Sequence, residues 1–235
     1  MDIVIDLQLL ADTEAYHTLE DNLKKMRFER AENSAGTKLS WRWQTRTERG
    51  ALMVLELPAD APDIAGGKVQ PLPTEGTISA LNIPYSSIVF DLHQVTEIQA
   101  ELLGGDGIAT ERIKHANLVS FTCLKSFAFD QRFERKDAHD LIYCIEHAPE
   151  GLEPWLRLST RSAPASTVPS SRPRWRSCAA ASPATRKARA IRKDGPVSVA
   201  KFELGEGNEP EQREARTLRQ RQACDVIEQL LARTG

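Results

Sequence analysis

The sequence predicts an α+β protein in which a small mixed sheet with flanking helices precedes a helical second half. Alternating apolar residues predict strands at 2–9 and 38–45, and the apolar run 51–57 predicts a buried strand. Further strands are predicted at 88–91, 95–103 and 108–113. Apolar residues at helical spacing predict helices at 117–132, 136–147 and 209–233. One further helix, starting at Asp12 or Thr13, separates the first two strands. Strands gathered in one half and helices in the other are typical of α+β rather than alternating α/β folds.

Composition excludes several classes of protein. The chain has 235 residues, of which 40% are hydrophobic and 27% charged, as in an ordinary globular protein. Its four cysteines have no CxxC spacing, which excludes a disulfide scaffold and favours a reducing compartment. No apolar run approaches the roughly 20 residues of a membrane span, and the first ten residues lack the basic start of a signal peptide. We therefore expect a cytoplasmic protein with no membrane partner.

The amino-terminal residues 1–113 are predicted to form the sheet domain. The first helix should bury a stripe of Tyr16, Leu19, Leu23 and Met26, whose spacing is 3, 4 and 3 residues. Trp41 and Trp43 alternate on one strand face, which is typical of core aromatics. The stretch 58–84 is rich in proline and glycine and predicts a surface loop.

The carboxyl-terminal half contains a basic segment between patterned regions. Helical residues 114–155 are expected to belong to the same unit as the sheet, and 195–235 form a C-terminal helical segment. Residues 157–193 carry ten basic and no acidic residues, so a net charge of −2 overall leaves −12 on the rest. We predict that 156–194 is a disordered linker. Ten cations would also suit a nucleic-acid-binding tail, but the position between patterned regions favours a linker or an out-of-frame translation.

Carboxylates on predicted strands form the first candidate site. Asp2, Val4 and Asp6 share one strand face, and Glu56 interrupts the apolar run ALMVLEL. A charge in such a run must be exposed, paired or bound to a cation. Carboxylates from neighbouring strands that meet at a sheet edge can hold Mg²⁺ against substrate phosphates. The alternative, favoured by spacing alone, is that Glu56 faces solvent at the end of its strand.

A charged helical block forms the second candidate site. Lys125 and Arg132 are seven residues apart and therefore share a helix face, where two cations could grip successive phosphates. Asp137 and Asp140 lie in the first turn of the next helix, where negative charge suits the helix dipole. The alternative is a solvated helix pair that is held by an arginine–aspartate network.

The block 124–141 reads L-K-x2-A-x3-R-x3-K-D-x2-D-L. This pattern resembles the nucleotidyltransferases of the AbiEii group, which are toxins of type IV abortive-infection systems. The order of elements agrees, with a D-I-V-I-D strand at the start, a helix ending KKMRFER, a tryptophan-rich strand and a strand with one acid. The resemblance covers about residues 2–150 and resumes weakly at 195–234.

The resemblance implies a nucleotidyltransferase-like fold and metal-dependent nucleotide transfer. Asp2 and Glu56 would be the catalytic carboxylates and would bind Mg²⁺, while Lys125 and Arg132 would bind the nucleotide. Lys136, Asp137 and Asp140 would support the motif by ordering the helical side. The implied partners are a nucleoside triphosphate, a nucleic-acid acceptor such as tRNA, and a cognate antitoxin. We expect Asp2 and Glu56 to lie side by side, with the Lys125 ammonium close to both.

One departure from the family pattern leaves two hypotheses open. The family places a Gly-Ser pair and then Asp-x-Asp on the first strand, and Asp2 matches the second of these aspartates. If Asp2 is placed first, Val4 stands where the second aspartate should be. The implied metal site is therefore incomplete in this sequence. The first hypothesis is a nucleotidyltransferase that is active or disabled, and the alternative is a non-catalytic remnant that binds nucleic acid or a partner protein.

Overall fold

A computed structural model describes residues 2–7, 19–47, 49–72, 76–102, 107–132, 134–149, 151, 153 and 186–234. The chain divides into two compact units. The first comprises Met1–Asp91 with Val95–Ile113, and the second comprises Leu92–Gln94 with Lys114–Gly235. Small sheets and several helices occur together, which confirms the predicted α+β class. Within the described residues, none of the helices is long and apolar enough to span a bilayer.

The first unit is built on short strands around a mixed sheet. Its described elements are α1 (Leu19–Lys25), β1 (Glu29–Glu32), β2 (Lys38–Arg46), β3 (Leu52–Glu56), β4 (Pro58–Ala59), β5 (Val69–Pro71), β6 (Ser79–Asn82), α2 (Ile88–Asp91), and the greater part of β7 (His93–Glu101) and β8 (Ile108–Ala116). Strands β1, β2 and β3 are antiparallel in that order. Strand β6 pairs in parallel with β4 and antiparallel with β5, whereas β7 and β8 form a separate two-stranded sheet.

Leu57 joins the two three-stranded sheets. Its backbone N donates to Trp41 O at 3.0 Å, and its carbonyl accepts from Leu81 N at 2.9 Å. Strands β3 and β4 are therefore two parts of one extended run. Leu57, which lies between them, forms backbone hydrogen bonds to β2 and to β6 along the same edge of this run.

The amino-terminal residues pair in parallel with the opposite side of this run. Ile3 N donates to Glu56 O at 3.0 Å, and Ile5 N donates to Pro58 O at 2.8 Å. Isolated bridges pair Asp2 with Glu56 and Ile5 with Ala59. The predicted first strand at 2–9 is thus extended and paired at its start. Its end was predicted wrongly at Leu7, which is helical, and residues 8–9 lie outside the described residues.

The core of the first unit follows from strand alternation. Trp43 and Leu55 are register partners and are almost completely buried. Leu57, Leu23 and Ile78 pack in the same cluster. A cross-strand pair of this kind, with one face on the core, fixes the register of a sheet.

Helix α1 confirms part of the predicted apolar stripe. Leu23 is buried and Leu19 packs against the same core, but Met26 is exposed, contrary to the prediction. The helix ends at Lys25 and the chain turns through a positive φ of 61° at Arg27, so Met26 no longer follows the helical face. The predicted start at residues 12–18, including Tyr16, lies outside the described residues.

The prediction of a surface loop at 58–84 was wrong. This stretch contributes β4, β5 and β6, and Ala59 and Ala80 are completely buried. The Asn82 side chain accepts from Ala61 N at 2.7 Å and donates to Ala61 O at 3.2 Å, which supports the backbone between the strands. Strands of two to four residues with small side chains give no clear alternation, so proline and glycine content dominated the prediction.

Residues 88–91 were predicted as a strand but form the short helix α2. Ile88 N donates to Tyr85 O at 3.1 Å, and Tyr85 has a positive φ of 68°. A turn therefore winds directly into the helix. A four-residue apolar run has too few residues for periodicity to separate helix from strand.

Within the described residues, the second unit packs four helices: α3 (Leu118–Arg132), α4 (Arg135–Glu146), α5 (Arg186–Leu204) and α6 (Pro210–Thr234). The helices predicted at 117–132, 136–147 and 209–233 are confirmed with small shifts of their ends. Asn117 caps α3, since its Oδ1 accepts from Ser120 N at 3.0 Å. The core cluster consists of Phe129, Ala138, Ile142, Val199, Ala223 and Ile227.

The prediction of a disordered linker at 156–194 was wrong for its last part, residues 186–194. Helix α5 begins at Arg186, so residues 186–194 are helical. Its first turns read RKARAIRK, and alanine, arginine and lysine are strong helix formers. The rest of the predicted linker lies outside the described residues.

Arg219 links three helices of the second unit. Its guanidinium donates to the Glu146 carboxylate of α4 at 2.7 and 2.9 Å. It also donates to Glu203 of α5 at 2.6 and 2.9 Å. Hydrogen bonds from Arg219, opposed by partial burial, hold the pKa of Glu203 below its ordinary value. One side chain of α6 is thus shared between two carboxylates, a bidentate use for which arginine is well suited.

Glu20 is a buried charge that ties α1 to the sheet. Its carboxylate accepts from Thr77 N at 2.9 Å and from Arg30 Nη2 at 3.0 Å. Lys24 Nζ lies 3.0 Å from Oε1. Burial opposes the charge, but these hydrogen bonds lower the pKa of Glu20 to about 2. Gly76, with φ of 121°, lies against the carboxylate, where a Cβ would collide with Oε2.

Glu20→Gln should destabilise the protein in a pH-dependent way. A folded-state pKa of about 2 against 4.5 corresponds to roughly 3 kcal/mol at most of stability at neutral pH. Because the pKa is depressed, this contribution is present above pH 4.5 and is lost as the pH falls towards 2. Urea unfolding at several pH values should show a wild-type–variant difference that shrinks across this window.

Asp21→Asn is the matched control, since its side chain is 70% exposed on the same helix. It should change the free energy of unfolding by less than about 0.5 kcal/mol. A Glu20→Gln effect that is equally small, or that does not change with pH, would contradict the assigned role of Glu20.

Candidate functional site

Three charged residues form a row across the first unit's sheet. Glu56 on β3 is the register partner of Arg42 on β2 and pairs on its other side with Asp2. Directly paired residues present their side chains on the same face of a sheet. Since the adjacent pair Trp43 and Leu55 is buried, the row lies on the face opposite that core. The expected side-by-side placement of Asp2 and Glu56 is therefore what the strand pairing produces.

Arg42 is a member of this row that the sequence did not reveal. The Nε atom of Arg42 lies 3.3 Å from Glu56 Oε1 but is not aligned for a hydrogen bond. This atom is buried, and it has no hydrogen-bond partner among the described residues. The Glu56 side chain retains 31% exposure, so the ion pair leaves part of the carboxylate open to solvent. Alternation with Trp41 and Trp43 places Arg42 on the outer face. The register between β2 and β3, which brings it to Glu56, could not be derived from the sequence.

The two carboxylates could supply part of the ligands of a Mg²⁺ ion, and the phosphates of a bound substrate could supply others. Mg²⁺ is commonly held by one or two carboxylates together with phosphates and waters, and Asp2 and Glu56 supply two carboxylates on neighbouring strands. Among the residues that the structure describes, no group of three acidic, histidine or cysteine side chains could enclose a metal ion. The pair thus fits a partial site, and Mg²⁺ stays a prediction.

The second unit brings the predicted helical residues into one ion-pair network. Lys125 Nζ on α3 donates to Asp137 Oδ1 at 3.1 Å and to Asp140 Oδ2 at 2.7 Å, both on α4. The Asp137 side chain is only 4% exposed and that of Lys125 22%. Lys125 also lies 5.6 Å from the centre of the Phe121 ring. This ammonium therefore holds the two helices together through carboxylates at i and i+3 of α4.

Arg132 and Lys136 complete the network from its exposed side. Arg132 Nη2 donates to both Asp137 oxygens, at 3.0 and 2.7 Å. Lys136 Nζ donates to Asp140 Oδ2 at 2.5 Å, one helical turn away. Both cationic side chains are more than half exposed, so solvent weakens these two pairs.

Electrostatics keep the centre of the network charged. Burial disfavours the charge on Asp140, but hydrogen bonds from Lys125 and Lys136 outweigh it and lower the pKa of this carboxyl. Burial likewise disfavours the Lys125 ammonium, and the hydrogen bonds to Asp140 and Asp137 outweigh it and raise its pKa. The two hydrogen bonds use two of the three N–H groups of Lys125. The third is the donor that the ammonium could offer to a phosphate.

The predicted site residues fall into two groups, one in each unit. Asp2 and Glu56 belong to the first unit, and Lys125, Arg132, Lys136, Asp137 and Asp140 belong to the second. Within each group the residues lie together. The expected proximity of the Lys125 ammonium to Asp2 and Glu56 stays a prediction, as do the nucleotide-binding roles of Lys125 and Arg132.

The effects of replacing Lys125 and Lys136 on the free energy of unfolding should distinguish a central ion pair from a peripheral one. Lys125→Met leaves two carboxylates, one of them buried, without their shared cation and should lower the free energy of unfolding by about 2–3 kcal/mol. Lys136→Met removes a cation that is 66% exposed and should cost less than about 0.5 kcal/mol. Urea unfolding followed by far-ultraviolet circular dichroism measures both. Equal losses in the two variants would contradict a central role for Lys125.

Comparison of the chain with protein-family models, with curated proteins and with solved structures finds no match.

Proposed function

We propose that this chain is a nucleotidyltransferase-fold protein of the AbiEii toxin-like type, which transfers a nucleotide to an acceptor hydroxyl in a metal-dependent reaction. The observation that carries the proposal is the parallel pairing of Asp2 with Glu56. It gives two carboxylates on one face of neighbouring strands, which is the arrangement that this chemistry requires. The helical motif that resembles the family supports it independently.

Each residue has a stated role in the proposed reaction. Bound Mg²⁺ would supply charge neutralisation at the triphosphate, and Asp2 and Glu56 would hold it. The acceptor hydroxyl gives up its proton to solvent as its oxygen forms a bond to the α-phosphorus. The bond from that phosphorus to the pyrophosphate oxygen breaks, so that pyrophosphate leaves. Lys125 and Arg132 would position the triphosphate, and Lys136, Asp137 and Asp140 would order the helix pair that carries them.

Arg42 adds an electrostatic element to the proposed site. Its guanidinium, beside Glu56, partly neutralises the carboxylate row before any cation binds. A guanidinium is also a good ligand for phosphate oxygens. A triphosphate that brings its own metal ion could therefore engage Glu56 through the metal and Arg42 through a phosphate. The nucleic-acid acceptor, for which tRNA is the example, and a cognate antitoxin enter the proposal through the family resemblance alone.

Labelled nucleotide incorporation tests the transfer. The purified full chain, incubated with Mg²⁺, each of the four α-labelled nucleoside triphosphates and total tRNA, should transfer label to RNA. Glu56→Gln should reduce incorporation by about 100-fold or more, because even the outer partners of metal ligands contribute 10–100-fold. Glu97→Gln is the matched control on an exposed strand position and should leave the rate unchanged.

A non-catalytic binding protein is the second candidate. The observation that favours it is that several charges of both groups are already paired within their own units: Glu56 with Arg42, and Lys125 with Asp137 and Asp140. Two results together would favour this candidate over the transferase. The wild type would show no metal-dependent incorporation, and Glu56→Gln would bind tRNA as the wild type does. Incorporation that persists in Glu56→Gln would reject the carboxylate assignment.

A further inference from the structure

Arg42 lies beside the carboxylate pair but is held there only loosely. Its side chain is 42% exposed and that of Glu56 31%, and the 3.3 Å contact between Arg42 Nε and Glu56 Oε1 is not aligned as a hydrogen bond. Among the residues that the structure describes, this buried Nε has no acceptor. A buried N–H group without an acceptor costs free energy. The guanidinium can therefore leave Glu56 without breaking a hydrogen bond.

The charge of the row decides which ligands it attracts. Asp2, Glu56 and Arg42 follow one another on one face of three neighbouring segments of the sheet. Two carboxylates without a counter-ion attract any divalent cation, whereas Arg42 cancels one of their charges and repels a cation that arrives alone. Since the groups are partly exposed, solvent weakens this effect but does not remove it.

A complex of a metal ion with a triphosphate reverses the effect of Arg42. A nucleoside triphosphate carries more negative charge than one divalent ion neutralises, so the complex as a whole is an anion. Its phosphate oxygens accept hydrogen bonds from a guanidinium, which binds phosphate through two parallel N–H groups. Arg42 can therefore exchange the carboxylate of Glu56 for a phosphate, and this exchange leaves Glu56 available to the metal ion.

We propose that Arg42 makes the carboxylate pair selective for a divalent ion that arrives with a triphosphate over the same ion alone. The inference rests on the proposed function, because it takes Asp2 and Glu56 as the metal-binding carboxylates. Against a bare ion, Arg42 keeps Glu56 paired, since such an ion brings no phosphate to receive the guanidinium. Arg42 thus couples the binding of the ion to the binding of the nucleotide.

A purely structural role for Arg42 makes a different prediction. If Arg42 only supports the pairing of β2 with β3, its replacement changes the affinities for the bare ion and for the complex in the same direction, or changes neither. Selectivity requires opposite changes: the affinity for the bare ion rises, and the affinity for the complex falls. The direction of the two changes therefore distinguishes the two roles.

Two binding measurements on the full chain test the inference. They are electron paramagnetic resonance of Mn²⁺ without nucleotide, and equilibrium dialysis of each labelled nucleoside triphosphate with Mn²⁺ present. Arg42→Gln should bind Mn²⁺ alone about 10-fold more tightly than the wild type, because the carboxylates lose their counter-ion. It should bind the Mn²⁺–triphosphate complex at least about 10-fold more weakly. Arg42→Lys keeps the charge without the planar fork, so it should keep bare-ion binding weak and recover only part of the complex binding.

Arg46→Gln is the matched control. Arg46 lies on the same face of β2, and its guanidinium donates to the carbonyl of Gly50 at 3.2 Å rather than to a carboxylate. Four residues along a strand separate it from Arg42 by about 13 Å, which exceeds the roughly 10 Å range of exposed charges at 0.1 M salt. Its replacement removes the same charge from the same strand and should change either affinity by less than about twofold.

The outcomes separate this inference from the proposed function. If Glu56→Gln weakens binding of the complex but Arg42→Gln does not shift the two affinities in opposite directions, the selectivity is overturned and the carboxylate site stands. The selectivity is also overturned if Arg46→Gln has the same effects as Arg42→Gln. If Glu56→Gln leaves binding of the complex unchanged, the proposed function fails and the inference fails with it.

Discussion

The parallel pairing between the amino-terminal residues and the run from β3 to β4 determines which charged side chains of the first unit share a face of the sheet. The hydrogen bonds from Ile3 and Ile5 to the carbonyls of Glu56 and Pro58 fix the register, and register decides which side chains share a face. A slip by one residue would bring Ile3 level with Glu56 and move Asp2 along the sheet. The carboxylate pair is thus a consequence of backbone pairing. The buried Ile5 supports this register because it reaches the core only in the observed pairing.

Glu20 and Asp137, the two buried carboxylates among the described residues, each have several donors around them. Glu20 collects three donors in the first unit, and Asp137 collects two cations in the second. Breaking one member of such a group is costly because the partner is left uncompensated. Glu56 and Arg42 differ, since both are partly exposed and poorly aligned. A loosely held pair in a row of charges is what a binding site needs, because its members can exchange partners without a large desolvation cost.

Long periodic segments were predictable from the sequence, whereas short or register-dependent features were not. The α3 and α4 helices and strand β2 have enough repeats to fix their type, and their bounds agree within about two residues. The strands within 58–84 are too short to show alternation, and α2 has four residues. Of the Lys125 network, only the Lys136–Asp140 pair follows from i,i+4 spacing along one helix. The contacts of Lys125 with Asp137 and Asp140 join two helices and depend on how these helices pack. Arg42 could not be anticipated either, because its contact with Glu56 depends on how two strands align, and Glu20 was hidden because helical spacing alone does not reveal a buried carboxylate.

The central claim is that Asp2 and Glu56 act together as one cation-binding unit, and electron paramagnetic resonance of Mn²⁺ tests it most directly. Titration of the full chain with Mn²⁺ in the presence of each nucleoside triphosphate would be compared for wild type, Asp2→Asn, Glu56→Gln and the double variant. If the two carboxylates share one ion, each single change weakens Mn²⁺ binding at least about 10-fold and the double change costs little more, since coupled residues are not additive. The account would be contradicted if both single variants bound Mn²⁺ with the affinity of the wild type, and if this affinity exceeded that of the triphosphate alone for Mn²⁺.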